Sequence, residues 1–385
     1  MRANSSGDWT EIECDWFDKV YEFQNSLYKI TFEGSPIVAL YGLVCTFGAL
    51  ANFIVLLAFV RTANLRNLRN SFIVNLACSD LILCVVTAPV TLYQSQNLFW
   101  PFGDMSCKVL SGVQAVNTFV SSLTLAFIAM DRVLLTLCPV QWRLAATAPL
   151  LCYSFVWIIS ILIALPYALT VNSKLAPFDP WTDRQSVNMV NYCQKKMPEI
   201  CAEREEAWNN AIISKTTYTF VVVGIQYILP LLALAYAYIQ IGTTIQKRSK
   251  ASRTVDTTRR LHMQNRNRRA LLLLCLLVLT YAICWAPMNL YHVLNGLEYI
   301  TYSHKMYIFM HLIGISSTCV NPIVYALVNE SFRNALHSMI LSFRPCYVTT
   351  TGSTTTNAFA AYTATKQETN TLVRDPYTTP IAADV

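Results

Sequence analysis

Seven apolar runs, each near twenty residues or longer, divide this sequence at roughly 36–60, 71–95, 106–137, 150–170, 215–245, 270–295 and 304–328. A helix rises 1.5 Å per residue, so about twenty residues cross about 30 Å of hydrocarbon. Within hydrocarbon every backbone N–H and C=O must find its partner inside the protein, which leaves the helix as the spanning element for runs of this length. Composition agrees, with 54% of 385 residues hydrophobic and 13% charged, against about 25% charged in soluble domains. The expected fold class is therefore an all-α membrane protein, a seven-transmembrane-helix bundle over 36–328, with residues 1–35 preceding it and a tail beyond. The runs differ in length and show no internal repeat, which disfavours a transporter built from inverted halves.

The opening MRANSSGDWT lacks the apolar core and cleavage site of a signal peptide, so the first span is expected to direct insertion. Arg61, Arg66 and Arg69 follow the first run, Arg143 the third, and a basic series from Lys247 to Arg269 joins the fifth to the sixth. By the positive-inside rule these loops are cytoplasmic, which puts the N-terminus outside the cell and the C-terminus inside. The net charge of +7 is then a matter of topology and anionic lipid rather than nucleic acid, and a cytoplasmic protein partner is compatible with it. On the outer side Glu11, Glu13, Asp15, Asp18 and Glu22 precede the first span, and Glu199, Glu203, Glu205 and Glu206 precede the fifth. Solvated loops account for such clusters, and together they would also gather a cationic ligand at the mouth. Asn4-Ser5-Ser6 is an outward glycosylation sequon, whereas Asn329-Glu330-Ser331 falls on the inner side and is expected to stay unmodified.

Polar side chains inside spans are costly and point to function. Asp80 lies within the second run, and Asn52, Asn117, Ser121, Ser317, Thr318 and Asn321 are placed to face it. One carboxylate ringed by short oxygen-bearing side chains suits a hydrated monovalent cation such as sodium. A network that only ties helices together would use the same residues. Asp131-Arg132 ends the third run, where a guanidinium needs a carboxylate or the interface; Asp131 can hold Arg132 at rest and release it. Pro166, Pro230, Pro287 and Pro322 each interrupt a span and free backbone carbonyls at what can be hinges or static kinks. No nucleophile constellation, metal-ligand spacing or phosphate loop occurs, so an enzyme is not expected, and no cofactor beyond a sodium ion is implied. A channel or transporter using Asp80 lacks a second buried acid and a ring of charges.

Taken in order, Asn52, Asp80, Trp100, Cys107, Asp131-Arg132, Pro139, Trp157, Pro230, Tyr238, Cys284-Trp285-Ala286-Pro287, Asn321-Pro322-Ile323-Val324-Tyr325 and Phe332 make the sequence resemble the rhodopsin-like G-protein-coupled receptors. The resemblance implies that Arg132 inserts into the interface with a heterotrimeric G protein, supported by Tyr238 and Tyr325. It makes Trp285, beside Pro287, the side chain under the ligand that moves as the sixth helix swings out. Two departures stand out: Val133 replaces the frequent aromatic, and 265–270, NRNRRA, offers Arg132 no carboxylate. The second leads us to expect appreciable signalling without ligand.

Gln114, eighteen positions before Arg132, stands where monoamine receptors of the family carry an aspartate, and the seventh run has no interior lysine for retinal. With Trp100, this glutamine is similar to receptors for neuropeptide Y, neuropeptide F and RFamide peptides. Asn289, His292, Asn295, Glu298, Tyr307 and His311 would line the pocket with Gln114 and Trp285. A C-terminally amidated Arg-aromatic peptide fits such a set, its amide on Gln114 and its guanidinium on an outer acid, either Glu298 or one in the second outer loop. His292 and His311 could equally be structural. Another peptide class, such as tachykinin-like, is the near alternative, and coupling to the inhibitory class of G protein is what the resemblance implies.

Most of the thirteen cysteines fall in apolar spans, where a thiol packs as a small hydrophobe. Of the outer four, the resemblance to peptide receptors, with Asn191-Tyr192-Cys193 read as their loop hairpin, pairs Cys107 with Cys193 and leaves Cys14 and Cys201 for a second bridge. After the seventh span, Phe332, Leu336, Ile340 and Phe343 recur at helical spacing, so a short amphipathic eighth helix over 329–345 is expected on the inner leaflet. Cys346 beyond it is placed for palmitoylation. A disordered tail over 346–385 follows, whose Thr/Ser-rich stretch 349–356 would, once phosphorylated, suit arrestin.

Overall fold

A computed structural model describes residues 11–30, 36–66, 68–137, 148–177, 179–209, 211, 213–251 and 257–342. Asn4, Pro139, Arg143, Phe343, Cys346 and the 349–356 stretch lie outside these residues. Among the described residues seven helices are long and apolar enough to span a membrane, namely Pro36–Arg61, Asn70–Gln96, Gly103–Leu137, Leu151–Thr170, Lys215–Thr244, Leu271–Gly296 and His304–Val328. The third span is central: 72% of its most apolar window is buried, against 17% for the fourth and fifth. Outward faces carry bare apolar side chains such as Leu43, Leu50, Leu151, Leu162, Leu232 and Ile283, an arrangement that water would disfavour and hydrocarbon does not. Residues 1–340 make one compact unit; of the second, 341–385, only Leu341 and Ser342 are described.

What ties the spans together follows from the prolines. Pro322 has no N–H, so it cannot close the helical bond to the carbonyl of Thr318. Asn52 of the first span takes that carbonyl at 3.0 Å, and also Gly48 O at 2.9 Å. The approach is close because residue 48 is glycine: a Cβ there would stand 2.6 Å from Cys84 Sγ and 2.8 Å from Thr318 Oγ1. In the fifth span Pro230 follows a π-helical turn, Gly224–Ile228, whose freed carbonyls face neighbours. Tyr281 of the sixth span donates to Gln226 O at 3.2 Å, and Ser122 of the third to Ile225 O at 3.0 Å. Near Pro166, Ile163 O accepts from the Tyr218 hydroxyl at 3.0 Å, tying the fourth span to the fifth. Asn75 completes the ring, donating to Thr124 Oγ1 at 2.7 Å and accepting from Trp157 Nε1 at 3.1 Å.

At the face bearing the N-terminal helix, Val171–Leu175 (β1) and Glu199–Glu203 (β2) form an antiparallel hairpin in which Ser173 lies opposite Cys201. Asp104 Oδ1, at the start of the third span, accepts from Ser173 N at 2.8 Å, and Trp100 N donates to Glu199 O at 2.7 Å. The hairpin is thereby pinned over Cys107, and its cysteine is Cys201. The expected pairing is corrected on this point: the bridges are Cys107–Cys201 and Cys14–Cys193. Cys193 lies outside the hairpin, just after a loop helix, Arg184–Tyr192, that packs against an N-terminal helix, Glu11–Ile30. That helix occupies the segment before the first span, which the apolar pattern of the spans does not reach. It is fastened by Phe17 against Trp181 at 5.0 Å, by Lys195 to Asp18 at 2.8 Å, by Trp181 Nε1 to Gln24 Oε1 at 2.6 Å and by Leu98 N to Asn25 Oδ1 at 2.8 Å.

On the opposite face the expected amphipathic helix forms over Glu330–Ser342. Phe332 and Ala335 are buried against the bundle, with Phe332 6.0 Å from Tyr325, while Ile340 is exposed.

Two outcomes check this architecture. Non-reducing proteolysis with mass spectrometry is expected to recover the Cys107 peptide joined to the Cys201 peptide and the Cys14 peptide joined to the Cys193 peptide. Asn52→Ala strands the carbonyl of Thr318 in hydrocarbon and is expected to destabilise the detergent-purified protein by about 1–3 kcal/mol in thermal unfolding.

Candidate functional site

Three groups of side chains follow one another through the interior. Nearest the N-terminal face, Gln114 Nε2 donates to the Tyr307 hydroxyl at 3.3 Å, joining the third span to the seventh. Tyr307 stacks on His311 at 6.0 Å, and His292 of the sixth span lies edge-on to Tyr307 at 6.2 Å. The histidines differ in station. His311 is buried and bonded through Nδ1 to the Tyr41 hydroxyl of the first span, a structural tie, whereas His292 is solvent-accessible. Tyr302 lies 6.0 Å from Tyr307, and the N-terminal helix reaches this rim through Tyr28, 5.4 Å from His304.

Of the remaining residues expected here, Asn289 is buried with its amide donating to Trp285 O at 2.9 Å, so its side chain is occupied within its own helix. Asn295 likewise donates to Ile300 O at 3.2 Å. Glu298 is exposed in the turn after the sixth span, at a φ of 61°. The acid that the fold sets beside the pocket is Glu203, two residues beyond the bridged Cys201. Its carboxylate accepts from Trp208 Nε1 at 2.5 Å and pairs with Lys215 at 2.8 Å, within electrostatic reach of His292, Tyr167 and Tyr218. The sequence places Glu203 among four loop acids without singling it out, because its partners Trp208 and Lys215 are met only in the folded loop. Tyr41 gave no signal beyond being a lone tyrosine hydroxyl in the outer half of an apolar run.

Below His311, at a ring separation of 6.1 Å, lies Trp285. Its indole rests on the bare backbone of Gly314, where a Cβ would come within 3.0 Å of the ring, and Nε1 donates to Ser317 Oγ at 3.2 Å. Trp285 also roofs a cavity of ≈ 10 Å³ lined by Asp80, Asn117, Ser121, Ser317 and Asn321 among others, room for about one water-sized occupant. Asn321 Nδ2 donates to Asp80 Oδ2 at 2.8 Å, and Ser79 bridges Asn117 Oδ1 at 2.9 Å and Ser121 Oγ at 2.7 Å. With Thr118, six oxygen-bearing side chains from the second, third and seventh spans thus line one small space.

At the far end Asp131 and Arg132, both buried, pair at 3.3 Å. Tyr325 is buried, 6.0 Å from Phe332, and Tyr238 of the fifth span is 60% exposed.

Seven spans with polar groups at successive depths, from Gln114–Tyr307 through the Asp80 cavity to a sequestered arginine, are consistent with a transmembrane receptor, and the comparisons identify which kind. Residues 51–325 match the family described as 7 transmembrane receptor (rhodopsin family), to which the chain belongs. Among its relatives, the Caenorhabditis elegans protein named "Putative neuropeptide Y receptor 11" is 35% identical over 80% of this chain and 73% of that one. The Drosophila melanogaster neuropeptide F receptor is 30% identical over 83% of this chain and 65% of its own length. The RYamide receptor of Tribolium castaneum is 26% identical over 84% of each. The chain is accordingly a multi-pass G-protein-coupled receptor of the neuropeptide-receptor type.

Proposed function

We propose that this receptor sits in the plasma membrane with its N-terminal face outside, binds a C-terminally amidated Arg-aromatic peptide there, and drives nucleotide exchange on a heterotrimeric G protein of the inhibitory class within. The observation that carries the reading is the half-buried Gln114–Tyr307 pair, set beside the exposed His292 and stacked through His311 toward Trp285. A terminal carboxamide both donates and accepts, as Gln114 does. An aromatic side chain suits the Tyr307, His311 and Trp285 rings below it. A guanidinium calls for a carboxylate, and Glu203 stands at the pocket's edge. The names of the fly and beetle relatives support the same class of ligand.

Within the bundle, a sodium ion fits the oxygen-rich cavity around Asp80, with Asn117, Ser121, Ser317 and Asn321 as the side chains that would hold it. A positive ion beside Asp80 favours the compact arrangement, which makes it a negative modulator of signalling. At the inner face Asp131 keeps Arg132 folded into the bundle until the sixth span moves. Arrestin binding to a phosphorylated 349–356 stretch, palmitoylation of Cys346 and glycosylation of Asn4 belong to the same proposal.

The test is a screen of amidated peptides ending in Arg-Phe or Arg-Tyr against cyclic AMP and calcium reporters. Gln114→Ala is expected to lower the potency of an active peptide by about 10-fold or more at unchanged surface expression, the loss of a buried hydrogen bond. Unchanged potency removes the pocket assignment. Glu203→Gln is expected to weaken the Arg peptide more than an analogue with citrulline in its place, and equal losses would show that Glu203 does not hold the guanidinium. Arg132→Ala is expected to leave radioligand binding largely intact while abolishing nucleotide exchange, and a fully signalling variant would contradict the assignment.

A further inference from the structure

The inner end of the sixth helix reads TTRRLHMQNRNRRA over 257–270, with no carboxylate to hold Arg132, and Arg132 pairs instead with its neighbour Asp131. The sixth helix is nevertheless tied to the bundle at this end, and from the other side of its charge pattern. Arg269 Nη1 donates to Glu330 Oε2 at 2.8 Å, across 61 positions of sequence. Glu330 opens the terminal helix, Glu330–Ser342, where the positive helix end favours a carboxylate. Its station is built: Asn329 Oδ1 accepts from Ser331 N at 3.2 Å, Asn329 Nδ2 reaches Asn70 Oδ1 of the second span at 3.4 Å, and Phe332 is buried two positions on. Arg269 rides on the opposite kind of element, a forty-residue helix with Pro287 in its interior.

We propose that Arg269–Glu330 is a latch that fastens the inner end of the sixth helix to the junction of the seventh span and the terminal helix in the ligand-free receptor, and that it opens as the sixth helix swings away. Both side chains are more than half exposed, at 63% and 59%, so the pair biases the resting-to-active equilibrium by only about two- to five-fold. A tie of that size restrains signalling without ligand yet yields to a peptide that prefers the open state by a modestly larger factor. The latch takes over the restraint that a carboxylate on the sixth helix would otherwise exert on Arg132.

The inference rests on the proposed G-protein coupling, and the experiment separates the two. Full-length receptor in membranes, without peptide, is assayed for guanine-nucleotide exchange on representatives of each heterotrimer class. Glu330→Gln and Arg269→Gln are each expected to raise basal exchange about two- to five-fold, and the swap Arg269→Glu with Glu330→Arg to return it to the level of the unaltered chain. Exchange that is present but indifferent to either single change, or a swap as active as the single variants, overturns the latch. A paired Arg269→Cys, Glu330→Cys receptor is expected to be joined by a bis-thiol reagent as long as the Arg–Glu side-chain pair it replaces, and failure to do so overturns the contact itself. Crosslinking with no exchange from any chain, under any active peptide, overturns the coupling reading and the latch's role with it.

Discussion

A proline inside a membrane span leaves a carbonyl with neither its helical donor nor a water molecule to bond, and the architecture of this receptor is organised around answering that deficit. At Pro322 and Pro230 the answer comes from another span. Asn52 reaches the carbonyl freed by Pro322, and Tyr281 the one freed by Pro230, with Ser122 serving its neighbour in the π-helical turn. Tyr218 serves the bend near Pro166. At these two prolines the broken helical bond is therefore also a contact between helices. Side chains that look like isolated polar intrusions in apolar runs are the partners that make broken helices tolerable in hydrocarbon.

The same economy shapes the signalling column. Trp285 can lie between the pocket and the Asp80 cavity because Gly314 offers it backbone rather than a side chain, and because Ser317 accepts its indole N–H. His311 is held by Tyr41 and faces Trp285 edge-on, so whatever presses on Tyr307 is one stacked ring from His311 and two from Trp285. Asp80 then meets Asn321, the residue immediately before Pro322, which places the cavity against the hinge of the seventh span. The Gln114–Tyr307 pair, His311, Trp285 and the Asp80 cavity thus form one run of packed groups with few independent degrees of freedom.

Much of the site could be read from the sequence because cost marks it. A carboxylate at 80, an amide at 114, a tryptophan beside a proline at 285–287 and an asparagine before a proline at 321–322 are expensive or kinked in hydrocarbon, so their presence alone singles them out. Residues in the water-facing loops carry no such mark. Glu203 and Glu298 are equally soluble, and Cys193 and Cys201 equally capable of a bridge, until the pairing of Ser173 with Cys201 over Asp104 distinguishes them. The N-terminal helix is set by a related circumstance: its packing face, with Phe17, Tyr21 and Gln24, matches a loop cluster around Phe99 and Trp181 that no local pattern connects to it.

By itself, then, the amino-acid order determined that the chain has seven spans long and apolar enough to cross a membrane and which interior groups must find partners, since each of these depends on hydration and on spacing along a single helix. Tertiary structure alone decided who those partners are: Cys201 rather than Cys193 for Cys107, Tyr41 for His311, Glu330 for Arg269. Such choices depend on distances between segments far apart in the chain, and only the packed bundle sets those distances.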